Sequence, residues 1–282
     1  MTTVLNNLTT CNDFIAEFEK VIKKPKTTPS SVYYTGVDLG TACVVLAVLD
    51  ENRRPVAGAY RYADVVKDGM VVDYIGAIDI VRQLKEELEE KLATTLIYAA
   101  AAIPPNTDDL DSGAIKNVVQ AAGFELTSVL DEPTAANQLL KIENGVIVDI
   151  GGGTTGISIM QEGNVCKIAD EATGGTHLSL VISGSYSMSF DQAELYKRQQ
   201  ENHQELLVVL KPVIEKISSI ITRQIDGFDV SAIYLVGGTA CLTGIEKVIE
   251  NTTKITTLKP INPMFATPLG IALSCTDHKG GQ

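Results

Sequence analysis

The sequence predicts an α/β protein built from two related halves, and three observations carry that prediction. Strand-like and helix-like segments alternate from Val32 onward. The string Val37-Asp38-Leu39-Gly40-Thr41 returns as Val148-Asp149-Ile150-Gly151-Gly152-Gly153-Thr154, read here as the same unit with two glycines inserted. The two aspartates lie 149 − 38 = 111 residues apart, room for one domain per copy.

Taken in order, residues 13–24 place Phe14, Ile15, Phe18, Val21 and Ile22 on one helical face. Asp13 at its start and Lys20, Lys23 and Lys24 at its end suit the helix dipole. "PKTTPSS" (25–31) reads as a linker, so the helix either folds back on the body or reaches out to a partner's groove. "VYYTGVDLG", "TACVVLAVLD" and "RPVAGAYRY" read as three strands. Residues 78–94 form an amphipathic helix, "TLIYAAAAIP" a strand, 109–123 a helix closed by Gly123, and "FELTSVLDEP" a strand leading into "TAANQLLK". The second half offers two strands around Gly151–Gly153, a long helix over 204–224 that should kink near Pro212, the strand "AIYLVGG" and a final helix "TPLGIALSC". The expected units are 1–31 (helix and linker), 32–140 and 141–282.

Composition narrows the function classes. A net charge of −12, with no basic cluster beyond "KKPK", argues against a nucleic-acid groove. No window approaches the roughly 18 uninterrupted apolar residues of a membrane span, and the amino terminus has no basic-then-apolar secretory pattern. Five cysteines without C-x-x-C spacing read as reduced thiols of a cytoplasmic protein.

Gly151-Gly152-Gly153-Thr154-Thr155-Gly156 satisfies G-x-G-x-x-G, the dinucleotide fingerprint. A Rossmann site requires a helix after the glycines, to receive pyrophosphate at its amino terminus. Here "ISIM", "QEGN" and "VCKIA" follow, which is strand, turn and strand, so the glycines form a hairpin. Such a turn still suits anions, because glycine lets backbone N–H groups converge on phosphate oxygens and a threonine hydroxyl adds a donor. An aspartate at the strand end can hold the waters of Mg²⁺. Two hairpins from facing halves would clasp a polyphosphate: Gly40, Thr41, Gly151, Gly152, Gly153, Thr154 and Thr155 for phosphate, Asp38 and Asp149 for metal. Glu132, at a strand end before a proline-initiated helix, either orients an attacking water or complements that helix's dipole. Gly237-Gly238 ends a buried strand and lets a base or phosphate come close.

Together these strings resemble the actin-like ATPase superfamily. "GVDLGT" and "VDIGGGTTGISI" are similar to its phosphate motifs, "DEPTAAN" and "ATPLGIALS" to its connecting helices, and "LVGGTACLTGI" to its adenosine motif. "VKDGMVVDY" is similar to a segment of the bacterial actins. The resemblance implies an actin-like fold around a nucleotide cleft that takes ATP or ADP with Mg²⁺. Length and leader are most similar to the chaperone-like, ethanolamine-utilisation group. That likeness implies a protein client such as ethanolamine ammonia-lyase and a bacterial-microcompartment setting, with the shell a candidate target for residues 13–24. Asp38 to Glu132 spans 132 − 38 = 94 residues and Asp149 to Gly237 spans 237 − 149 = 88, so the superfamily's inserted subdomains are reduced or absent. In relatives those insertions supply base and ribose contacts and a lysine near the reacting phosphate. No lysine here matches that pattern, Lys67 lying just outside it. The alternative is a nucleotide-independent scaffold on the same fold.

Overall fold

Two five-stranded sheets with the same strand order lie at the centre of the chain. The computed structural model describes residues 2–67, 69–105 and 109–277, and for residues 2–6 and 109–111 the backbone alone. After helix α1 (Thr2–Lys23) come β1 (Tyr34–Leu39), β2 (Cys43–Leu49) and β3 (Pro55–Tyr62). A two-stranded ribbon follows, β4 (Val66–Lys67) with β5 (Met70–Val71), then α2 (Tyr74–Leu92), β6 (Tyr98–Ile103), α3 (Asp109–Ala121), β7 (Glu125–Asp131) and α4 (Glu132–Leu140). The second half runs β8 (Gly145–Ile150), β9 (Thr155–Gln161), β10 (Asn164–Glu171), α5 (Gly175–Tyr186), α6 (Phe190–Arg198), α7 (His203–Ile225), β11 (Ile233–Val236), α8 (Ile245–Thr253), β12 (Thr257–Leu258) and α9 (Ala266–Ser274).

The sheet orders, β3-β2-β1-β6-β7 and β10-β9-β8-β11-β12, superimpose element for element. In each, three antiparallel strands continue into two parallel ones. The repeat in the sequence is therefore a repeat of topology. The insertions are indeed reduced: only the β4–β5 ribbon separates β3 from α2, and α5 and α6 separate β10 from α7.

Each half buries its own core. On α2, Ala77, Val81, Leu84, Leu88 and Leu92 recur at helical spacing and pack on the first sheet. Ile214, Ile217 and Ile221 of α7 do the same on the second. Helix α7 runs unbroken through Pro212, which sits on its exposed face, where water can serve the carbonyl left without a donor. A third core lies between the halves and is filled by α1, α4 and α9. There α4 and α9 cross so closely that a Cβ on Gly270 would stand 1.8 Å from the Ala135 carbonyl oxygen.

Helix α1 belongs to that third core, which is the fold-back of the two arrangements open to residues 13–24. Cys11, Ile15, Phe18 and Val21 are at most 2% exposed. The Phe18 ring abuts Gly58, where any Cβ would collide with it, and meets Phe265 edge-on with centroids 5.2 Å apart. Polar contacts reach both halves: Arg54 of the first pairs with Glu17 at 4.0 Å, and in the second the Lys141 carbonyl accepts from Asn7 Nδ2 while Ile261 N–H and Asn262 Nδ2 donate to Asn12 and Glu19. The 25–31 segment is tied down as well, through Lys26 N–H to the Val56 carbonyl and Ser31 N–H to Glu51. A marginal isolated helix gains its stability from burying its stripe, and the body offers the nearest apolar surface.

Two consequences are measurable by urea denaturation. Phe18→Ala should cost about 3–5 kcal/mol; unchanged stability would mean that α1 is detached in solution. Gly270→Ala should cost about 3 kcal/mol, because the obstructing atom is backbone and cannot rotate away. A neutral result there would mean that α4 and α9 separate freely.

Candidate functional site

The two hairpins that begin the sheets have the same geometry. Gly40 N–H bonds the Cys43 carbonyl at 3.1 Å, and Gly151 N–H bonds the Thr154 carbonyl at 3.0 Å. Leu39 pairs with Val44, and Ile150 with Thr155. Every position is thus offset by 111, and the reading of two inserted glycines is corrected: Gly152 stands at the place of Thr41, Gly153 at Ala42, and Thr154 at Cys43. The motifs differ by substitution alone.

The turns face each other across a cleft between the halves. Asp38, Gly40 and Thr41 line one wall, Asp149, Gly151, Gly152 and Thr154 the other, and Glu132, Gly237 and Gly238 complete it. Gly153 and Thr155 do not line it; both are buried, and the Thr155 hydroxyl donates to the Thr173 carbonyl at 2.7 Å. Lys67 is exposed on the ribbon, outside the cleft lining.

The carbonyls of the second turn are held from behind. Gly175 and Thr176 N–H, at the start of α5, donate to the Gly151 and Gly152 carbonyls at 3.0 and 2.8 Å. Thr239 Oγ1 adds a bond to the Gly151 carbonyl at 2.7 Å. In a trans peptide, N–H points opposite to C=O, so the N–H groups of Gly152 and Gly153 are turned away from α5. That is the arrangement an anion requires.

Carboxylates gather on the cleft floor. Burial raises the Asp38 pKa to about 7, and the neighbouring Asp149 adds to the shift. Asp149, 5% exposed, is raised to about 6 by burial, although it accepts the Thr267 hydroxyl at 2.6 Å. Glu132, the first residue of α4, is raised well above its ordinary value by burial and then by Asp149, Asp38 and Asp170. Gly237 closes against this floor in the left-handed region (φ 89°), where a Cβ would lie 2.3 Å from an Asp149 oxygen. Among the described residues no three of these acids, or of histidines and cysteines, converge as a direct metal-ligand set, so a hydrated Mg²⁺ would meet one or two carboxylates through its waters.

Sequence reasoning expected nothing between β10 and the long helix α7 to line the cleft, and so missed helix α6. The structure corrects that expectation: Glu194, Lys197 and Arg198 line the cleft. The sequence did carry a signal, the capping box Ser189-Phe190-Asp191-Gln192, in which Ser189 and Gln192 exchange side chain-to-backbone bonds at 3.2 and 2.9 Å. Lys197 Nζ donates to the Gly175 carbonyl, Ser179 Oγ and Glu194 Oε1 at 2.9, 2.7 and 2.6 Å. Burial would raise Glu194, but Lys197, Ser179 and Arg198 together hold it below its ordinary value. His203 accepts Thr243 N–H at Nδ1, so its proton sits on Nε2 and bonds the Lys197 carbonyl at 3.0 Å, anchoring α6 to α7. Across the mouth, the Arg198 guanidinium lies 3.7 Å from the ring centre of Tyr62, in the other half.

The space within is small. The cavity is about 140 Å³, against the ~300–1,000 Å³ of ordinary ligand pockets, and Gly152 nearly touches Thr41 and Ala42. The halves stand closed.

The raised acids give a pH signature. An unfolded aspartate releases its proton near pH 4, while folded Asp38 holds its own to about 7 and Asp149 to about 6. The native state therefore binds more protons, and the stability this provides is full below pH 4 and lost as pH rises through 7. We expect the melting temperature to fall by on the order of 5 °C between pH 5 and pH 8, with the decline flattened in Asp38→Asn. A melting temperature that rises over that range contradicts the cluster.

Comparison with known proteins places this geometry among described folds. The family model "Type IV pilus assembly protein PilM" matches residues 80–269. The chain is 44% identical to the ethanolamine utilization protein EutJ of Salmonella typhimurium over 242 residues, 86% of this chain and 85% of that one. The crystal structure of EutJ from Carboxydothermus hydrogenoformans superimposes with a TM-score of 0.90 at 45% identity, over 95% of this chain and 99% of that one. MreB5 of Spiroplasma citri bound to ADP shares the fold, with a TM-score of 0.69 at 18% identity over 86% and 95%. Among the described residues, no helix is long and apolar enough to cross a membrane.

Proposed function

Because the chain belongs to the EutJ family of the actin-like ATPase superfamily, matched also by the PilM family model, we propose that it is a chaperone-like nucleotide-binding protein of ethanolamine utilisation. It takes ATP or ADP with Mg²⁺ in the cleft and uses the nucleotide to set the angle between its halves, and so its grip on a protein client. The single observation that supports this most is the pair of matched hairpins facing each other over buried carboxylates.

Each group then has a task. The Gly40–Thr41 and Gly151–Gly152 turns bind phosphate through backbone N–H. Asp38 and Asp149 hold the hydrated metal, whose contribution is to offset phosphate charge. Glu132, ionised, accepts a proton from a water at the reacting phosphate and orients it. Gly237, Gly238 and the α6 side chains Glu194 and Arg198 take the base and ribose side. Entry of a nucleotide into the closed cleft parts Arg198 from Tyr62 and separates the hairpins. The halves then pivot on α4 and α9, and this motion is what a client would sense. Ethanolamine ammonia-lyase, in the setting of a bacterial microcompartment, is the client that family membership suggests. The buried stripe of α1 is not the surface that meets the shell.

Titration with fluorescent ADP, with and without Mg²⁺, tests the reading. Asp38→Asn should weaken Mg²⁺-dependent binding at least about tenfold while the chain stays folded. Capture of ethanolamine ammonia-lyase should then differ between ATP and ADP. Client capture with no nucleotide binding at all would replace this reading with the nucleotide-independent scaffold.

A further inference from the structure

The second half carries a groove that the cleft chemistry does not use. Helix α7 buries Leu206, Leu210 and Ile214 in the core of that half, and a different face of it borders an open cavity shared with α8. The cavity is about 870 Å³, within the range of ordinary binding sites, and none of the cleft residues lines it. Its α7 wall runs from Gln204 to Glu215 at helical spacing, about 16 Å or three turns of one helix face. Two parallel walls of that length accommodate a third helix.

The floor is apolar. Leu207, Val208 and Val248 form it, and Val208 is 76% exposed, more than any other large apolar side chain described. A lone exposed valine is ordinary, but one seated in a concave wall beside two further aliphatic groups offers an anchor point. Pro212 has no N–H, so the Val208 carbonyl four residues back loses its intrahelical donor and is left for a donor from outside. Gly244 opens α8 at φ 91°, and a Cβ there would stand 2.5 Å from a Leu207 methyl, so any side chain would compete with Leu207 for the floor.

The rim is polar and carries a positive excess. Lys211 and Lys247 line it, one from each helix, against the single acid Glu215. Lys247 forms no ion pair among the described residues. Lys211 holds Glu215 at 3.7 Å in an exposed pair, 61% and 45%, of the kind that contributes little and exchanges readily. The chain as a whole is at −12, yet charge beyond ~8 Å is screened at physiological salt, so the two lysines select what docks here. The groove also adjoins the cleft: His203 bonds both Thr243, at the groove's edge, and the Lys197 carbonyl of α6.

We propose that the α7–α8 groove is the docking surface for the protein client, and that it takes an acidic amphipathic helix of about three turns. The apolar stripe of that helix lies on Leu207, Val208 and Val248, and its carboxylates meet Lys211 and Lys247. This rests on the client-binding part of the functional reading above.

Fluorescence anisotropy on the full chain tests it with a labelled synthetic helix of about 16 residues, leucines at i, i+4 and i+7 and glutamates beside them. One control peptide replaces every glutamate by lysine, and a second moves the leucines out of register. The acidic helix should bind at least about tenfold more tightly than either control. Val208→Glu, at a side chain already in water, should weaken it at least about tenfold with the melting temperature unchanged. Lys211→Glu combined with Lys247→Glu should reverse the preference toward the lysine helix. Equal affinity for the acidic and lysine helices overturns the assignment, as does binding that Val208→Glu leaves within twofold of wild type. A wild-type chain that sediments as a dimer, and as a monomer in Val208→Glu, gives the groove to a second copy and overturns it too. Titration of the same proteins with ADP separates the two readings. Retained ADP binding without groove binding strikes the docking surface alone, and groove binding without ADP binding strikes the nucleotide reading alone.

Discussion

The crossing of α4 and α9 is the constraint on which the rest of the molecule depends. Gly270 lies against the Ala135 carbonyl, too close for any Cβ, and so holds the two halves at a fixed point. The same helices open on the cleft. Helix α4 starts with Glu132, and α9 carries Thr267 in its first turn, donating to Asp149. A change of angle at the crossing therefore moves an acid and a hydroxyl of the floor, and a ligand on the floor acts on the crossing. The helix crossing and the cleft floor are thus parts of the same two elements.

Two opposed tendencies meet in the closed cleft. Asp38, Glu132, Asp149 and Asp170 repel one another at a depth where water compensates poorly. Against this stand the apolar core between the halves, the straddling helix α1 and the Arg198–Tyr62 contact. A site with like charges held together by packing is poised for a cation, because the cation removes the repulsion and leaves the packing in place. The free chain is thereby destabilised where these acids meet.

The hairpins and their aspartates were legible because they are local. Glycine, threonine and a strand-end aspartate within seven residues need no distant contact to be recognised. At the tip, identity is misleading: the threonines Thr41 and Thr154 match by type, whereas the closing hydrogen bond of each turn makes Thr154 the counterpart of Cys43. Residue identity is weaker evidence of equivalence than the closing bond of a turn. Helix α6 is hard to read because it is only nine residues long and buries a single apolar side chain, Ala193, although its capping box is legible.

By itself the sequence determined two related α/β halves, the strand-end acids Asp38 and Asp149, the glycine turns beside them and the amphipathic stripe of α1. These follow from periodicity and from backbone freedom, which act over a few residues. Only the tertiary structure decided where the stripe of α1 goes, how far the halves close, and which further groups reach the cleft. Whether Phe18 meets Gly58 or a partner's groove depends on the free energy of burial against surfaces that exist only once both sheets are folded. Asp170 becomes a neighbour of Asp149 only because three strands lie side by side, and sequence distance carries no record of that adjacency.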